Sequence, residues 1–118
     1  IKQLSTTSYP ELTDGISKQI GQLRKGIPAT MKGFSAMAQG ATSTAALDDK
    51  TKELIAMGIA IALRCDGCIG FHTKSLVLLE ATRQEFEEML GVAIYMGGGP
   101  SLMYAAQALD AWEQFGGE

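Results

Sequence analysis

The sequence predicts an all-α protein of about six helices. Three observations carry that prediction: apolar residues recur at spacings of three and four along most of the chain, proline or a capping residue opens segment after segment, and no convincing run alternates with the period of a strand. A chain of 118 residues has the length of a single domain, so residues 1–118 are read as one unit with one core.

Residues 1–9 are polar and without period, and are expected to form a flexible tail ahead of Pro10, which suits the first turn of a helix. From Glu11 to Lys25 the apolar positions Leu12, Ile16, Ile20 and Leu23 form one stripe, and Gly26 ends the segment. Pro28 opens a second helix with Met31, Phe34, Met37 and Ala38 on a common face, fading into a loop over 40–45. Asp48 or Asp49 caps the third helix, which runs to about Arg64. Its middle, Leu54 to Leu63, is apolar on every side, which places it in the centre of the domain or between subunits. A fourth helix follows from Cys65 towards Glu80. Thr82-Arg83-Gln84-Glu85 is a capping box for the fifth, Gly97-Gly98-Gly99 stops it, and Pro100 starts the last, through Leu102, Ala105, Leu109 and Trp112.

Bulk composition excludes several function classes. A net charge of −3, with ten basic residues spread thinly, leaves no footprint for nucleic acid. The longest stretch without a polar side chain is ten residues, about half of what a bilayer crossing needs. No secretion signal is evident at the start, and a cytoplasmic location is expected. A hydrophobic content of 46% is high for so small a chain and suggests that copies of it bury surface against one another as a homo-oligomer.

Cys65 and Cys68 are the only cysteines. Bridging residues three apart closes too short a loop to stabilise a fold, so the pair reads as chemistry. In a helix starting near Cys65, residues 65, 68 and 72 share one face, bringing both sulfurs and the single imidazole, His72, together. The positive helix end and the imidazole would both favour a thiolate, the form that attacks a peroxide oxygen. A sulfenic acid on one sulfur then condenses with the other to a disulfide. If the chain doubles back near Arg64, Glu53 comes close enough to orient His72, directly or through a water. The expected division of labour has Cys68 attack, Cys65 resolve, and His72 with Glu53 move the proton. Two inert buried thiols, or a zinc ion held by Cys65, Cys68, His72 and Glu53, are the competing readings of the same residues. Gly97 to Gly99 lacks the Lys and Ser/Thr of a phosphate loop and is read as a helix stop.

Glu53, eleven intervening residues, Cys65-Asp66-Gly67-Cys68, three residues and His72 together resemble the alkylhydroperoxidase D signature. The flanking Lys52-Glu53-Leu54-Ile55-Ala56 and Leu63-Arg64 resemble the small single-domain members of the carboxymuconolactone decarboxylase superfamily. The resemblance implies an all-α AhpD-like bundle assembled as a trimer or hexamer. It also implies peroxide reduction by Cys65, Cys68, His72 and Glu53, without a cofactor or metal, and a thioredoxin-like or lipoyl-protein reductant. The better-characterised peroxidases of this type carry a tyrosine just before the second cysteine, where this chain has Gly67. Decarboxylation of a muconolactone-like acid, or a non-enzymatic oligomeric redox-sensing or binding module, are the alternatives that the resemblance leaves open.

Overall fold

A computed structural model describes residues 7–118. Six helices follow one another: α1 (Tyr9–Gly26), α2 (Pro28–Thr42), α3 (Asp49–Leu63), α4 (Asp66–Leu78), α5 (Arg83–Gly97) and α6 (Gly99–Gln114). No strand occurs among the described residues. None of their helices is long and apolar enough to cross a membrane.

Side-chain caps set most of the helix starts. Ser8 accepts from the Glu11 N–H, Asp48 from the Thr51 N–H, and Thr82 and Glu85 form the reciprocal capping box read from the sequence. Two helix ends use a device without glycine. After α3, Arg64 lies in the left-handed region at φ 57°; its N–H reaches the Ile61 carbonyl and that of Cys65 the Ala60 carbonyl. After α4, Glu80 at φ 60° repeats the pattern, its N–H bonded to Val77 and that of Ala81 to Leu76. These are Schellman turns, which satisfy carbonyls that a helix end otherwise strands.

The core lies where α3, α4, α5 and α6 meet, with α1 laid across α4 and α6. Met57 and Ile61 of α3, Ile69 and Leu76 of α4, Phe86 of α5 and Trp112 of α6 are all fully or almost fully buried. The Phe86 and Trp112 rings pack 4.7 Å apart between centroids.

Three sequence expectations change. Residues 1–6 of the expected tail lie outside the described residues, but Tyr9 belongs to the body: it opens α1 and is completely buried. Its N–H donates to Gln114 Oε1 at 2.7 Å, and Gln114 Nε2 donates to the Thr7 carbonyl. Burial, with Asp66, Asp110 and Tyr104 nearby, pushes the Tyr9 phenol up to about 12. The stretch over 40–45 is helical as far as Thr42, because alanine and threonine extend α2 after Gly40 without a break. Finally, α3 is central on one side only. Glu53, Met57, Ala60 and Ile61 are buried, whereas Ile55, Ile59 and Leu63 face outward beside an apolar groove shared with α5.

Candidate active site

The turn at Arg64 folds α3 and α4 into an antiparallel hairpin, and the candidate residues sit on its inner faces. Cys65 is the N-cap of α4 rather than its first residue; its Sγ accepts from the Cys68 N–H at 3.2 Å. Cys65 and Cys68 are joined as a disulfide with their Cα atoms 5.2 Å apart. Both are half-buried, and Cys68 packs against the core. The sulfurs bond each other, so in this state neither offers the thiolate that zinc would need.

His72 lies one turn beyond Cys68. Its Nδ1 stands 2.7 Å from Glu53 Oε1, a direct contact where the sequence allowed either that or a bridging water. Axially, Glu53 is ten residues before the end of α3 and His72 six after the start of α4. The offset of about 6 Å is taken up by the two side chains. Glu53 is 8% exposed, and His72 is half-buried. A carboxylate in its ionised form only accepts, and with that form the imidazole would donate from Nδ1. Behind the pair, the buried Thr73 hydroxyl donates to Met57 Sδ at 3.6 Å, tying the two helices together at the same level.

The structure thus brings all four expected residues onto one hairpin, and it adds a neighbour that the sequence did not identify. Helix α1 runs antiparallel over α4, with Tyr9 and Thr13 against Gly70 and Ile16 against Gly67. A Cβ at Gly70 would stand 2.7 Å from Thr13 Cγ2, and one at Gly67 would stand 2.9 Å from Ile16 Cδ1. The signal was present in the spacing: Tyr9, Thr13, Ile16, Ile20 and Leu23 share one face. Thr13 hid it, being polar, yet its hydroxyl is spent on the Tyr9 and Pro10 carbonyls, leaving its methyl for packing.

A helical bundle with a disulfide at a helix start, an imidazole one turn on and a buried carboxylate behind it defines a class of small α-helical protein with a thiol site. The profile of the carboxymuconolactone decarboxylase family matches residues 28–111, and the chain belongs to that family. It is 40% identical over 106 residues to an uncharacterized protein of Cupriavidus necator, covering 90% of this chain and 93% of the relative. It is 33% identical over 106 residues to an uncharacterized protein of Haemophilus influenzae, covering 90% and 94%. The crystal structure of an apo carboxymuconolactone decarboxylase family protein from Legionella pneumophila is similar throughout: TM-score 0.90, 58% identity, 91% of this chain and 96% of that one.

Proposed function

We propose that this protein is a thiol-dependent peroxidase, a disulfide oxidoreductase that reduces organic hydroperoxides through Cys65 and Cys68. The observation that carries the reading is a bonded cysteine pair at the start of the helix that also presents His72 to Glu53. In the reduced protein, His72 takes the Cys68 proton at Nε2, and the thiolate attacks one peroxide oxygen. A sulfur–oxygen bond forms, the O–O bond breaks, and the departing alkoxide takes the imidazolium proton and leaves as an alcohol. Cys65 then passes its proton to His72 and attacks the Cys68 sulfenic sulfur; the S–O bond breaks, and hydroxide leaves with that proton as water. Two thiols and one hydroperoxide become a disulfide, an alcohol and water. A dithiol reductant, thioredoxin-like or lipoyl-bearing, returns two electrons and two protons.

Cys68 takes the attacking role because it is one turn from the imidazole, which leaves Cys65 the resolving role. Glu53 holds the ring in the tautomer that leaves Nε2 basic. Decarboxylation of a lactone acid would give the disulfide no part to play. The exposed apolar side chains of α3 and α5, Ile55, Ile59, Val92 and Met96, support a homo-oligomer, for which the family resemblance suggests a trimer or hexamer, and the low basic charge supports the absence of a nucleic acid partner.

The test is steady-state consumption of an alkyl hydroperoxide with a dithiol reductant. Cys65→Ser and Cys68→Ser are each expected to abolish turnover, with a trapped sulfenic acid persisting only in Cys65→Ser. Undiminished turnover in a protein lacking both thiols would refute the reading.

A further inference from the structure

Among the described helices, α2 alone has no buried residue. It lies against α1 and α3 and does not touch α5 of its own chain. Phe34, Met37, Ala38 and Ala41 follow the i, i+3, i+4, i+7 spacing of a helix face that seats in a groove, and Phe34 and Met37 are 58% and 63% exposed. The groove between α3 and α5 has a volume of about 530 Å³ and, apart from Thr51, is lined by residues without polar side chains. It extends from Thr51 to Ala62 along α3, a rise of about 16 Å, and the α2 face from Phe34 to Ala41 needs about 10 Å of that length.

Charge matches the two surfaces. Helices α1 and α2 carry four basic and two acidic residues, whereas residues 48–118 carry five basic and eleven acidic. Arg24, Lys25 and Lys32, around the start of α2, make no ion pair among the described residues. Asp48 and Glu88 stand one turn before Thr51 and Val92, and the Lys50–Glu85 ion pair holds the starts of α3 and α5 side by side. The groove therefore has an acidic end and the α1–α2 hairpin a basic one. Opposite charges of this kind fix the register of two docking surfaces.

We propose that α2 of one chain seats in the α3–α5 groove of a second copy. Phe34 and Met37 enter between Ile55, Ile59, Val92 and Met96, with the basic end of the hairpin at the acidic end of the groove. This rests on the homo-oligomer proposed above and goes beyond it by naming the two surfaces that meet. Ridge and groove are different patches of one chain, so each copy can give a helix and receive one, in a reciprocal pair or a closed ring. Groove against groove would leave the α2 ridge in water and its basic end unmatched. Because the contact lies between chains, it adds nothing to the stability of a separate chain and grows with concentration.

The experiment measures the size of the full chain in solution by sedimentation. Phe34→Glu and Val92→Glu are each expected to lower the assembled fraction by roughly tenfold or more, since each would bury an unpaired charge, with helicity unchanged. A second measurement does not depend on how those variants fold. In a Cys65→Ser, Cys68→Ser chain whose size matches the wild type, differently tagged Met37→Cys and Val92→Cys versions are mixed, left to exchange and oxidised. Products joining position 37 of one chain to position 92 of another are expected to dominate. A wild type that assembles while Phe34→Glu keeps its size, or products dominated by 92-to-92 joins, overturns this inference alone. A wild type that stays single at every concentration removes the homo-oligomer and this inference with it.

Discussion

The hairpin of α3 and α4 and the hairpin of α1 and α2 have similar helix lengths, but the first is the more apolar and only the first is fixed by its own contacts. Across α3 and α4, Met57, Ala60 and Ile61 face Ile69, Thr73 and Leu76, all buried. A Schellman turn closes the hairpin at Arg64, and the Glu53–His72 bond spans it. Helix α2 has no buried residue, no side-chain cap at its start and no charged residue at either end to complement its dipole. Leu23, Ile27, Phe34 and Met37 are 44–63% exposed. An isolated helix of this length is marginal in water. Amphipathic spacing therefore makes a helix available, while burial and caps decide whether it becomes a rigid frame, and the candidate chemistry sits on the frame.

The largest effects expected are on activity at the rigid hairpin. His72→Ala should lower the rate of peroxide-dependent thiol oxidation by about 10²–10⁴-fold, the usual worth of a positioned acid–base group, as read by stopped-flow kinetics. Stability should divide in the same way. Met57→Ala is expected to cost about 2–5 kcal/mol and Phe34→Ala within about 0.5 kcal/mol by chemical denaturation. Equal losses at the two positions would show that the comparison is wrong.

Glycines sharpen the contrast. Gly70→Ala places a methyl against Thr13 and Tyr9 and should destabilise by about 1–3 kcal/mol, whereas Gly33→Ala in α2 has open space and should stabilise by about 0.5–1 kcal/mol. Relieving the left-handed residue of the tight turn, Arg64→Gly should raise stability by about 0.5–1 kcal/mol, measured by thermal melting. A further effect is a pH dependence at the α1 clamp. The Tyr9 phenol titrates higher in the fold than in the unfolded chain, so its contribution is complete below the ordinary value near 10 and is lost as pH rises towards about 12. Stability of the wild type should fall more steeply over that interval than that of Tyr9→Phe.

Much of this fold was legible because its boundaries are written in local chemistry. Asp48, Thr82 with Glu85, and Pro100 mark helix starts wherever they occur, and the spacing of Cys68 and His72 needs only helical geometry to put them one turn apart, with Cys65 as the cap before them. The turns at Arg64 and Glu80 were not legible, since a left-handed stop built on arginine or glutamate carries no glycine signal. Tyr9 was misplaced because its partners, Gln107 and Gln114, are about a hundred residues away, and no local pattern reports them. Glu53 was placed only approximately: its contact with His72 depends on how the hairpin aligns two helices, which the tertiary packing decides.

The central claim is that the two sulfurs form one redox couple served by the imidazole. It is tested most directly by titrating free thiols in the reduced protein before and after one equivalent of an alkyl hydroperoxide. The account predicts rapid loss of both thiols in each chain, with recovery on adding a dithiol and a much slower loss in His72→Ala. Thiols that survive the peroxide, or disappear at the same rate without the imidazole, would contradict it.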